Sequence, residues 1–178
     1  MTLQELEPAT TVERALAYFD TLQPVTVEQM IGSWRGNGLV TGHPFDGQLE
    51  GLGWWGKQFV NPEEVHPLVM DGPHGPFSLN PSLVPLELDL RYPTLFRRTG
   101  VQRVMRRALP LLRTKRPAAR LRMAEYRGVV SATMVYDTKP VNDHFRRVDA
   151  RTVLGAMDQR NAVVPYLFVL RREDINGG

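Results

Sequence analysis

Cysteine is absent from the 178 residues, and with it go disulfides, thiolate metal ligands and thiol nucleophiles. Four histidines, His43, His66, His74 and His144, stand far apart, with no pair one helical turn from another, so no metal site is expected. A run of about 18 uncharged apolar residues is also missing, which excludes a membrane-spanning helix. The opening Met1-Thr-Leu-Gln-Glu-Leu-Glu7 lacks a basic stretch followed by an apolar core, so a cytoplasmic protein is the expectation. There is no serine in a nucleophile elbow and no phosphate loop, and Gly51-Leu-Gly53 lacks the strand-to-helix setting of a dinucleotide fingerprint. Acidic residues are missing from one long segment. Between Arg91 and Arg122 stand Arg97, Arg98, Arg103, Arg106, Arg107, Arg113, Lys115, Arg116 and Arg120 without an Asp or Glu, so at a net charge of +3 the remainder is net acidic.

What is present is a glycine-aromatic pattern. Glycine alternates with larger residues in Gly32-Ser-Trp34-Arg-Gly36-Asn-Gly38 and again in Leu49-Glu-Gly51-Leu-Gly53-Trp54-Trp55-Gly56, with His43-Pro-Phe-Asp-Gly47 between them. The pattern predicts a hairpin, strand one over 33–40 and strand two over 48–55, running on through Lys57-Gln-Phe59, with tryptophans on one face. Ahead of it, Thr10-Thr-Val-Glu13 and Thr26-Val-Glu-Gln29 have capping-box spacing, predicting a helix over 11–22 and a short one after Thr26, packed across one end of a barrel. Apolar alternation predicts further strands at 65–70, 77–79, 119–126, 129–136, 145–148, 152–157 and 166–171, with Gly128 a bulge or bend.

Short strands at regular spacing favour closure, which removes exposed edges. The expected fold is therefore mainly β: one antiparallel lipocalin-like barrel over residues 1–178, of about eight to ten strands, enough to hold side chains or one small ligand. Within it, 1–31 supply N-terminal helices, 32–79 the first strands, 80–118 an irregular connector and a basic helix, and 119–172 the remaining strands. The basic helix, from Thr94, places Val101, Val104, Met105, Ala108 and Leu112 opposite Arg103, Arg106 and Arg107, and Pro110 should kink it or end it early. Two roles stand for it, a lid with its arginines in water or a face for anionic membrane lipid. Nucleic acid is not expected as a partner, because no aromatics are interleaved with the arginines to stack bases.

The densest polar cluster is Tyr136-Asp137-Thr-Lys-Pro-Val-Asn142-Asp143-His144-Phe145-Arg146. Strand parity sends Asp143 and Phe145 one way and His144 and Arg146 the other. Lys57, in an otherwise apolar strand, is a candidate base or counter-ion, and His66 a candidate acid or base near neutral pH. These residues support two functions in one cavity. In the first, a small apolar ligand sits among Trp34, Trp54 or Trp55, Met134, Tyr136 and Phe145, its polar end oriented by Lys57, Asp143 and Arg146. In the second, Asp143, His66 or Lys57 are general acids and bases of a cofactor-free isomerase, hydratase or lyase.

Gly32-x-Trp34-x-Gly36, Trp54-Trp55-Gly56-Lys57-Gln-Phe59 and Val65-His66-Pro67-Leu68 resemble a bacterial family named for its Gly-x-Trp-x-Gly motif. Arg120 to Gly128, Met134-Val-Tyr136-Asp137, Pro140 to Arg146, Val153 to Asp158 and Phe168-Val-Leu170 resemble that family's C-terminal companion of unknown function. The resemblance spans nearly the whole chain and implies a lipocalin-like barrel. Gly32, Trp34, Gly36 and Gly38 are also similar to the opening of the nitrobindins, ten-stranded haem barrels. Nitrobindins take their axial histidine from near the C-terminus. No histidine follows His144 here, so no cofactor is expected, and haem is an alternative only with His144 or His66 as axial donor.

Overall fold

The computed structural model describes residues 1–83 and 99–174. Eight strands close an antiparallel barrel: β2 (Gly32–Gly38), β3 (Trp54–Asn61), β4 (Glu64–Met70), β6 (Ala119–Tyr126), β7 (Val129–Tyr136), β8 (Val141–Arg147), β9 (Thr152–Gln159) and β10 (Tyr166–Glu173). Each pairs with the next in this order, and β10 pairs back onto β2, with Phe168 opposite Gly38 and Glu173 opposite Ser33. Two two-residue strands lie off the ring, β1 (Gln23–Pro24) on β8 and β5 (Phe77–Ser78) on β4. The β4–β6 seam is joined by one bridge, Val65 to Ala119, and the rest of β4 pairs with β5.

Among the described residues, five α-helices accompany the barrel: α1 (Leu3–Leu6), α2 (Val12–Thr21), α3 (Val27–Met30), α4 (Gln48–Leu52) and α5 (Thr99–Ala108). The Thr26 capping box forms as expected: its side chain accepts from the Gln29 N–H and the Gln29 side chain accepts from the Thr26 N–H. The cap of α2 falls one residue later than the spacing suggests, on Thr11, which accepts from the Arg14 N–H. Of the two helices expected across a barrel end, α3 takes that place, through Met30, whose carbonyl accepts from the Trp34 indole at 2.7 Å. α2 lies on the outer wall instead, packing Val12, Ala15 and Phe19 on Leu154, Ala156, Leu167 and Val169. β9 and β10 are thereby buried on both faces, which is why they read as continuous apolar runs.

Strand two of the expected hairpin is wrong over its first half. Residues Gln48–Leu52 form α4, and the strand begins at Trp54. Gly47 and Gly53 flank the helix at φ 73° and 84°, left-handed values that suit glycine and set the helix off as a discrete segment. The alternation of glycine with larger residues from Leu49 to Gly56 is the misleading signal, a period of two that spans two different elements. Arg127 (φ 51°) and Gly128 (φ 76°) form a two-residue turn with Tyr126 opposite Val129, a tight hairpin rather than a bulge. The expected helix start at Thr94 lies outside the described residues. α5 ends at Ala108, two residues before Pro110, and is followed by a 3-10 turn over Leu109–Leu112.

The inward glycines make room for rings. A Cβ on Gly36 would stand 2.4 Å from the Trp54 indole, and one on Gly38 2.1 Å from the Tyr166 hydroxyl. The spacing of Gly36 and Gly38 behind Trp34 is thus the negative image of two aromatic side chains that reach into the barrel from other strands.

Candidate functional site

Register decides what the barrel encloses. Trp34 pairs with Lys57 on the inner face, while Ser33, Gln58 and His66 form a row on the outer face. On the other wall, Leu121, Met134, Asp143, Met157 and Tyr166 form an inner row across β6 to β10. The two polar members, Lys57 and Asp143, meet in the interior. Lys57 Nζ lies 2.8 Å from Asp143 Oδ2, with side chains only 4% and 1% exposed. The ammonium also donates to the Pro67 carbonyl at 3.1 Å and sits 5.1–5.9 Å from the centres of Phe168, Trp54 and Tyr136, close enough for cation–π attraction.

The pair is incompletely matched. Neither Asp143 oxygen receives a well-aligned hydrogen bond, and Oδ1 has no donor at all. Burial raises the Asp143 carboxyl above the usual range, and the Lys57 charge opposes that rise. Burial, then the charge of Asp143, pushes the Tyr136 phenol well up. Tyr166, likewise raised by burial and by Glu50, keeps a buried hydroxyl without a partner. Native interiors rarely leave such groups unpaired, and those that remain call for an explanation.

A cavity of about 40 Å³ adjoins the pair. Its walls are Trp54, Leu68, Tyr136, Met157, Tyr166 and Phe168, and its roof is Phe45 with Gln48, Leu49 and Leu52 of α4. That volume holds a few waters at most, about 15 Å³ being needed for each. Glu50 anchors the roof by accepting from the Gly38 N–H at 2.7 Å, and α5 lies over it, the Gln102 side chain against Gly51 and Arg106 against Gly53.

The other expected site residues divide between the core and the outer wall. Met134 and Phe145 are fully buried core, Phe145 lying edge-on to Phe59 and Phe168. Trp34 plugs the end closed by α3 and carries Arg172 on its ring at 4.4 Å. Trp55 faces outward under Arg35. His66, also outward, lines a 570 Å³ surface groove with Trp55, Phe77 and Arg113, and so stands apart from Lys57 and Asp143. His144 and Arg146 point away from the cavity. His144 stacks on Tyr126 at 4.0 Å and contacts Thr133 Oγ1 at 2.9 Å, and burial lowers its pKa to about 4. Arg146 donates to the carbonyls of Tyr126 and Val129 and lies over Phe19, fixing α2 to the wall. No residue lining the cavity is a histidine, so neither expected axial donor fits a haem held there.

Sequence reasoning missed Tyr166, Phe168, Leu68 and the α4 roof. Parity along Tyr166-Leu-Phe168 was available as a signal for the first two. Nothing local marks the roof, because α4 shares its residues with an apparent strand.

Residues 17–75 match the GXWXG protein family, and residues 117–172 match DUF4334, a domain of unknown function. The first match contains Gly32-x-Trp34-x-Gly36, whose glycine spacing the Trp54 ring explains. The chain belongs to the GXWXG family, with DUF4334 as its C-terminal companion. The two matched regions of this GXWXG protein are not separate in space, since β2 of the first pairs with β10 of the second. It is similar to a protein from Thermomonospora curvata known from a crystal structure, at 32% identity and a TM-score of 0.67, over 91% of this chain and 87% of that one. No curated protein matches the chain.

Proposed function

We propose that the barrel binds a small, largely apolar molecule that carries one hydrogen-bond donor, a hydroxyl or an amine. The observation that supports this reading is the Asp143 carboxylate, buried in an apolar cavity beside Lys57 with an oxygen that no donor meets. A ligand's O–H or N–H would supply that missing bond, a charge-assisted one and correspondingly strong. Lys57 keeps the carboxylate ionised and oriented, and Leu68, Phe168, Leu49 and Leu52 take the apolar body. The closed cavity of about 40 Å³ holds only a few waters, so a ligand is taken in and accommodated only with the roof lifted, and Gly47 and Gly53 bound the segment that would move.

1-Aminoanthracene, three fused apolar rings with a single amine, is a suitable fluorescent probe. Its emission should rise on binding, and Asp143→Leu combined with Lys57→Met, which keeps the interior apolar, should weaken binding about tenfold or more. Equal binding by that double variant would overturn the reading. Native mass spectrometry of the purified protein would show any natural ligand directly.

The raised carboxyl of Asp143 also favours a second reading, a cofactor-free isomerase, hydratase or lyase in which Asp143 moves the proton and Lys57 steadies the charge. His66 has no part in it, being on the opposite face of the wall. Turnover of a bound carbonyl compound that disappears in Asp143→Asn, with binding retained, would distinguish the two.

A further inference from the structure

α5 and the turn after it have two faces. The inner one sets half-buried Val101, Gln102 and Met105 and buried Leu109 toward α4 and the barrel. The outer one is exposed and mixes apolar with basic side chains: Val104 is 68% and Leu111 86% exposed, beside exposed Arg103 and Arg107. Just beyond, Lys115 and Arg116 are exposed as well, and no acid lies between Arg91 and Arg122. The sequence pattern assigned Val104 and Ala108 to the buried side. The structure turns both outward, which leaves a helix that is amphipathic toward the barrel and cationic-apolar toward solvent.

We infer that this outer face docks on an anionic lipid surface. A large exposed leucine and valine framed by arginines suits the headgroup boundary, where the apolar side chains enter the acyl edge and the guanidinium groups stay with the phosphates. Three exposed arginines, Arg103, Arg107 and Arg116, from a segment that contains no acid match the polybasic segments that anionic leaflets attract, each cation strengthening partition about fivefold, whereas Lys115 lies on a groove with Glu173 and Asp174. The helix rests on the roof of the cavity, so docking would set the roofed end of the barrel against the membrane, where apolar molecules dissolve. The lipid contact does not depend on what the cavity holds.

The full chain is tested by co-sedimentation with extruded vesicles of phosphatidylcholine alone and of phosphatidylcholine mixed equally with phosphatidylglycerol. Binding is expected to the mixed vesicles and not to the neutral ones, and to weaken as salt is raised. Arg103→Gln with Arg107→Gln should lower partition about tenfold or more. Val104→Ser with Leu111→Ser should lower it about fivefold or more, without changing the melting temperature, since both side chains are in solvent. Wild-type protein that stays in the supernatant, or that binds both vesicles equally, overturns the inference. So does a serine variant that binds like wild type, because the arginines would then form a face for polyanions in general, nucleic acid or acidic protein included.

Discussion

Removing one member of the Lys57–Asp143 pair should do far more harm than removing both. At 2.8 Å and an effective dielectric near 20, the gross attraction is about 6 kcal/mol. Desolvation opposes it with several kcal/mol for each ion, so the net contribution of the pair lies near zero. Lys57→Met leaves a carboxylate at 0% exposure with no counter-charge and should cost about 3–5 kcal/mol at neutral pH. Asp143→Leu strands the ammonium and should cost a similar amount. The double variant, apolar throughout, should lie within about 1 kcal/mol of wild type or above it. The pH dependence follows from the sign of the shift. The Asp143 carboxyl is already raised above its ordinary 3.8, and losing Lys57 raises it further. The protonated form then contributes fully below the unfolded value and that contribution is lost as pH rises through the folded one. The deficit of Lys57→Met against wild type should therefore be smaller at pH 5 than at pH 7. Urea denaturation followed by the fluorescence of the three tryptophans measures all four proteins. A double variant that loses as much as the two single variants together, or a Lys57→Met cost below about 1 kcal/mol, would refute this balance of charge and desolvation.

Gly56, at φ 149°, faces the Trp34 carbonyl, which a Cβ would approach to 1.9 Å; Gly56→Ala should prevent folding, as circular dichroism would show. Gly36→Ala meets a movable ring instead and should cost about 1–3 kcal/mol by denaturation, with altered Trp54 emission. Tyr166→Phe deletes a buried hydroxyl without a partner and should leave stability unchanged or raise it by up to about 1 kcal/mol in a melting experiment. His144 has its pKa depressed from 6.5 to about 4, so its stabilising contribution is complete above pH 6.5 and is lost as pH falls toward 4, by up to about 3 kcal/mol. A His144→Phe variant should lack that part of the acid slope when its stability is subtracted from wild type across the window.

Half of the candidate site was legible from local pattern. Lys57 stood out as a cation in an apolar strand, and parity within β8 separated Asp143 and Phe145 from His144 and Arg146 correctly. The same parity told nothing about which set faced inward, because α2 buries the outer wall as thoroughly as the aromatic core buries the inner one. Arg146 and His144 consequently looked as suitable for the cavity as Asp143. His66 deceived for a related reason: bulges between Trp54 and Gln58 shift the register of β3 against β4, so a position in an apolar run does not reveal its face.

By itself the sequence determined the elements whose physics is local: the capped helices α2 and α3, the end of α5 before Pro110, the strand alternation, and the glycines without which β2 could not pass its aromatic neighbours. It also determined the charge of residues 91–122. Tertiary structure alone decided that Gln48–Leu52 is a helix over the barrel mouth, that Val104 turns to solvent, and that Lys57 and Asp143 meet. The reason is distance along the chain. Lys57 and Asp143 come from β3 and β8, and their contact exists only once the strands between them have paired and the barrel has closed.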